Sequence, residues 1–537
     1  MLQLLVLLFA AYPPMPLPAT GEAYDIALLK SAGLPDDGPS LVEHLKRRTP
    51  DPSTITRIRQ ALAVLSDDRF EKREAATLEL VKLGPVCRSF LIEASRDADF
   101  EVADRAKHCL AKIKEWHSET ILGAVVRRLV AGRPQGAEQA LLRYLPSAED
   151  IGCADEVREG LLELARSPVT SGAIKAALKD EEPAIRLAAA LALVGSNNDA
   201  SDASQLLRDP NRDVRLGLAL ASLKGPFSDK SISALLELMP EATHAEGCAI
   251  EDALYELAGD SGPPAQVWPS NAQGRTLRRN QWAAWVANRS PNRNMSVRTL
   301  VVLLDKELIQ DLDAQSEPLH ELTELQFPLD AEPLPGGRVL VAEHAGNKVT
   351  LRNMKNQVLW EKAIEMPLVA QHLGKGRVMV ATAEAIIEFD SGGKEVRRME
   401  FSNEKIMKCH RLAGGETGIV LQDPTGENSR FLRLDRYRRP VGTIPVKVKT
   451  SGGRIDWHAN GHVLVPELEA QRVVEYDTAG KAVWEAAAEL PVFAVWLPNG
   501  NVMVTSRNEN GALEMDRAGK KIWSYKIGTR VTRALRH

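Results

Sequence analysis

The stretch Arg454-Ile-Asp456-Trp457-His458-Ala-Asn460-Gly461 places a guanidinium, a carboxylate, an imidazole and an amide within eight residues. A neutral imidazole at His458 could act as a nucleophile, with His410, His462 or Arg454 balancing the charge that develops. Spacing offers a second reading. The same frame elsewhere reads Leu497-Pro-Asn-Gly500, so His458 stands in a turn position that is leucine in a sibling segment. An isolated motif match of this kind is more often structural than catalytic, and the residues favour a structural role.

Other chemistries fall away on residue spacing. The five cysteines, Cys87, Cys109, Cys153, Cys248 and Cys409, form no C-x-x-C, no C-x-x-C-H and no adjacent pair. Zinc ribbons, thioredoxin-like redox sites and covalent haem attachment all need such spacings. Cys87, Cys109 and Cys248 lie in apolar helical stretches and read as small core residues. No metal or cofactor is expected, and disulfide pairing stays open.

The elements that would position His458 repeat. Asp477-Thr-Ala-Gly-Lys-Ala-Val-Trp484 aligns with Asp516-Arg-Ala-Gly-Lys-Lys-Ile-Trp523, and the frame recurs at Asp313, Asn353, Asp390 and Asp435. Six copies at one blade length, each an alternating strand, a turn and a second strand, predict a β-propeller of six blades. The first copy lacks its innermost strand and the last has one left over, near Arg530 to Leu535. Closing the ring with that strand leaves no open sheet edge. Trp360, Trp484 and Trp523 recur at one position and are expected to lock blade to blade.

The first half repeats a helix. Arg73, Arg105, Arg186 and Arg215 each follow an acidic start and precede small apolar residues, with spacings of one helix pair. Asp209-Pro210 reads as an N-cap with proline in the first turn. Val214, Leu218 and Ala221 then make one apolar stripe. Stacked pairs bury such stripes continuously, which predicts an α-solenoid. The boundaries expected are 24–52 as an N-terminal segment, 53–260 as helical repeats, 261–295 as a linker with a capping helix, and 296–537 as the propeller.

These helical units resemble HEAT repeats, and the Asp, Gly-Lys and Trp pattern resembles the PQQ-like propeller repeat, with turns similar to those of NHL and sulfotransferase propellers. The whole chain resembles bacterial proteins that join the two. The resemblance implies an N-terminal α-solenoid followed by a six-bladed propeller, with a protein partner taken through the HEAT array. Around His458 the chain resembles the Asp-Trp, His and Asn cluster of arylsulfotransferases, though with one residue fewer between Trp457 and His458. A quinoprotein dehydrogenase would want an adjacent cysteine pair and eight blades. The function expected is therefore a non-enzymatic interaction scaffold, the alternative being a propeller enzyme of either type.

Composition is that of an ordinary folded protein. The 537 residues are 44% hydrophobic and 26% charged, with a formal net charge of -4. That charge gives no electrostatic reason to expect nucleic acid. Two short basic runs, Arg275, Arg278 and Arg279, then Arg436, Arg438 and Arg439, read as solvated faces. Leu2 to Ala11 has the length of a secretory h-region, and small residues at Ala19, Gly21 and Ala23 follow it, so 1–23 reads as a signal peptide. Export to the periplasm or beyond is expected, with no membrane span in the mature chain.

Overall fold

A computed structural model describes residues 21–113, 119–149, 151–167, 171–196, 200–225, 227–289, 297–507 and 511–537. The expected signal segment lies outside them up to residue 20. Gly21–Ser31 is a helix whose Asp25 is buried. No described helix is long and apolar enough to cross a membrane.

The described residues are helical to Asn288 and form strands from Thr299 on, with one 3-10 turn at Leu304–Lys306. Its helices start where side chains cap them. Asp51, Asp99 and Asn211 each accept backbone N–H groups of the first turn, and Thr243 with Glu246 forms a reciprocal capping box. The recurring arginine has a local task as well. Arg73, Arg186 and Arg215 each fold back to donate to the carbonyls of Asp67, Asp180 and Asp209 at 2.7–2.8 Å. Bonds between successive units follow: Arg186 holds Asp209 through two hydrogen bonds of 2.8 Å, and Arg105 reaches Glu74 at 2.8 Å. The last helix, Ala272–Asn288, buries Trp282 against Tyr255, ring centroids 4.8 Å apart.

Six four-stranded antiparallel sheets make the propeller. The first blade joins Thr299–Leu303, Leu308–Leu312 and Pro318–Leu322 to the C-terminal strand Val531–Arg536, which takes the innermost place. Leu300 pairs with Leu535 in that register. The other five blades begin at Pro328–Leu334, Val369–Gly374, Lys405–Arg411, Asp456–Trp457 and Pro491–Trp496.

The sequence anchors are the turns before each outermost strand. In each, one side-chain oxygen of Asp or Asn accepts two backbone N–H groups, as Asp477 does from Ala479 and Lys481 at 2.9 Å. The fourth residue sits at positive φ, glycine at 393, 480 and 519 but Ser316, Asn356 and Arg438 in the other blades. The tryptophans one turn later bridge to the next blade. Trp484 Nε1 donates to the Arg517 carbonyl at 2.8 Å, under that arginine's guanidinium, and Trp523 Nε1 donates to Ser316 Oγ at 2.9 Å. Trp360 lies beside Gly393.

Candidate functional site

In an antiparallel blade the turns after the first and third strands share one face of the ring. The helices dock on that face. Asp252, on the helix His244–Ala258, accepts from Arg338 at 3.0 Å, from His372 Nε2 at 2.9 Å and from the Gly376 amide at 2.7 Å. Asp260 accepts from the Gly336 amide at 3.1 Å and from Arg298 at 2.6 Å. Arg377 meets Asp155 at 2.7 Å, Arg439 meets Asp25 at 2.9 Å, and Arg436 and Arg438 pair with Glu163 and Glu156. The basic run 436–439 is therefore a clamp between the two halves rather than a solvated face. Arg278 is likewise buried, against Glu251 and Tyr255.

Docking leaves a polar cavity of about 870 Å³ between the helices and the ring. Helical residues Glu159, Glu163 and Glu256 line one wall, and Glu388, Arg397, Arg411, Arg436 and Arg438 line the other. At its floor, where the cavity meets the propeller axis, stand Glu332, His372, His410 and Arg454. Arg454 is buried and fully engaged, donating to Asp330 at 3.2 Å, Glu332 at 3.0 Å and the Ala370 carbonyl at 2.6 Å. Arg533, from the closing strand, pairs with the other oxygen of Asp330. Lys408 is buried nearby and donates to the Gly452 carbonyl at 2.7 Å. The axis is thus filled by paired charges, not by the Val, Ala and Leu side chains of a dry channel.

Burial sets the protonation of the floor. His410 Nδ1 lies 3.1 Å from the Ile455 carbonyl, which can only accept, so Nδ1 carries the proton and Nε2 is a bare acceptor. Burial, then the Arg454 and Arg533 charges, push this imidazole down to about 3. Asp456 lies 4.0 Å from it, and burial raises its carboxyl to about 7 against the Trp496 amide and the Arg533 charge. Asp252 goes the other way. Burial alone would raise it, but His372, Arg338 and the Gly376 amide hold it at about 2.

The residues singled out in the sequence divide into two groups. Arg454 and His410 line the cavity, and His458 and His462 do not. His458 occupies the turn between the first two strands of its blade, accepting from the Gly461 amide at 2.8 Å as Leu497 does from Gly500. Its ring stacks on Trp496, centroids 4.1 Å apart. Burial lowers its pKa, with Glu475 opposing and His462 adding. Among the described residues, no side chain hydrogen-bonds the His458 ring. His462 Nδ1 is held by Glu475 at 2.8 Å. All five cysteines are free thiols, and burial raises Cys87, Cys248 and Cys409 to about 12. Asp252, Glu256 and His372 come close enough together to hold a cation, but Arg338 and Lys224 already occupy the two carboxylates at 3.0 and 2.8 Å.

No family model and no curated protein sequence matches the chain. Solved structures similar to it include a streptogramin B lyase, at 12% identity and a TM-score of 0.33, covering 43% of this chain and 80% of that one. A calcium-binding regucalcin of Agrobacterium tumefaciens is 10% identical, with a TM-score of 0.30 over 38% of this chain and 76% of that one. A Bacteroides caccae protein of unknown function is 14% identical, at a TM-score of 0.31 over 35% and 72%. Likeness at this level says nothing about activity.

Proposed function

We propose that the protein is an exported, non-enzymatic interaction scaffold that takes a protein partner on a HEAT-like helical array. The observation that carries this is an apolar surface on two neighbouring helices, which the short helix Arg88–Ala94 separates in sequence. Phe70 and Phe100 open the helices Phe70–Leu83 and Phe100–Lys112 and are 59% and 80% exposed, with Leu78 at 69%. Arg105, from the second helix, lies 6.0 Å over the Phe70 ring, so the two helix starts are neighbours. Scattered exposed apolar residues are ordinary, but large ones at matched positions of adjacent units suit a partner surface. The arginine back-bonds and the Arg186–Asp209 and Arg105–Glu74 links support reading these helices as a repeat array. Ring closure and the filled axis support reading the propeller as a rigid platform.

The surface is tested by affinity capture with the full chain as bait. A Phe70→Glu, Phe100→Glu double variant should keep its thermal melt, because both side chains already face solvent, and should lose the partner that wild type retains. Identical captures by the two baits would refute this surface.

A further inference from the structure

The cavity between helices and ring has a charge arrangement that the scaffold reading does not use. Its carboxylates are shared. Glu388 serves Arg411 at 2.8 Å and Arg397 at 3.5 Å. Glu163 serves both Arg436 and Arg166, and Glu156, which is not part of the lining, pairs with Arg438 and Arg127. Burial alone would raise Glu388, yet the Arg411 and Arg397 charges hold it at about 2, so it stays an anion wedged between two cations. Of the lining cations, Lys224, Arg377 and Arg454 are matched by Glu256, Asp155 and the Asp330–Glu332 pair, and Arg397, Arg411, Arg436 and Arg438 stand grouped on one wall.

We propose that this cavity is a binding site for a small multivalent oxyanion, bearing carboxylate or phosphate groups. Volume fits, since small-molecule sites run from about 300 to 1,000 Å³. Chemistry fits, since planar guanidinium forks match both kinds of oxyanion. Both halves of the chain supply the walls, so the site exists only while they are docked. One lining group opposes an anion. Glu159 accepts no hydrogen bond among the described residues, and burial and its neighbour Glu156 raise its pKa, with Arg436, Arg438 and Arg397 pulling the other way. This gives the proposal a signed test, because neutralising Glu159 and neutralising an arginine must act in opposite directions.

The probes are inorganic phosphate and citrate, titrated by calorimetry into the full-length chain at low ionic strength. Wild type, Arg411→Gln, Arg436→Gln and Glu159→Gln are compared, each checked by thermal melt. Arg436 lies at the cavity's more open edge, so its variant keeps the test alive if Arg411→Gln fails to fold. Binding of either anion is expected, about fivefold weaker or more in each arginine variant and tighter in Glu159→Gln. The arm with the larger response identifies phosphate or carboxylate as the group held. No saturable binding of either anion by wild type, or weaker binding by Glu159→Gln, would overturn the proposal.

Discussion

Arg338 Nη1 donates to Asp252 Oδ1 at 3.0 Å across the boundary between propeller and helices, with both side chains almost wholly buried. The pair joins the strand Arg338–Glu343 of the second blade to the helix His244–Ala258. Asp252 also holds His372 and the Gly376 amide of the third blade, so one carboxylate fixes two blades at once.

Removing that carboxylate should loosen the whole junction. Breaking a buried pair from one side costs about 3–5 kcal/mol, because the remaining charge stays buried alone. Asp252→Ala should therefore split the calorimetric melt into separate helical and propeller transitions. A single unshifted transition would show that the other ion pairs suffice.

Ring closure predicts a second result. Truncation after Lys526 removes the strand Val531–Arg536, with buried Val531 and Ala534, and removes Arg533 from Asp330. The propeller should lose on the order of 5 kcal/mol, from lost burial and ladder hydrogen bonds. Trp484→Ala should cost less, about 2 kcal/mol, because that ring is only half-buried against Arg517. Urea denaturation followed by tryptophan fluorescence measures the truncation, and circular dichroism the Trp484 variant.

Asp456 gives a pH signature. Its carboxyl titrates near 7 in the folded chain and near 3.8 ordinarily. From about pH 4 to 7 the unfolded chain has released this proton and the folded chain has not, so stability falls as pH rises through that window. His410, at about 3 when folded against 6.5 ordinarily, has the opposite slope between those values. Comparing wild type with Asp456→Asn isolates the carboxyl. The variant should gain on wild type between about pH 5 and pH 8 in urea midpoints, and a constant difference would contradict the raised value.

The propeller was legible in the sequence because each blade carries its own local signal. An Asp or Asn whose side chain caps a turn, a positive-φ residue and a strand all fall within a dozen residues. Even there glycine was an incomplete guide, since Ser316, Asn356 and Arg438 take the same conformation. The cavity was not legible, because it joins Glu159 and Glu163 to residues 388–438, and no local pattern pairs them. For the same reason Arg436, Arg438 and Arg439 read as solvated when taken alone. His458 resembled a catalytic cluster in its residue types, one residue short in spacing, and its fold position places it on Trp496, away from Arg454 and His410.

That separation bears on whether the molecule binds or transfers a group. The measurement that tests this most directly is sulfate transfer from an aryl sulfate to a phenol, run on wild type and on His458→Ala. A histidine nucleophile needs a partner to orient it and a charge to stabilise the transition state, and among the described residues no side chain hydrogen-bonds the His458 ring, which lies on Trp496. The account predicts no turnover by either protein, with partner capture undiminished in His458→Ala. Turnover by wild type that disappears in the variant would contradict it.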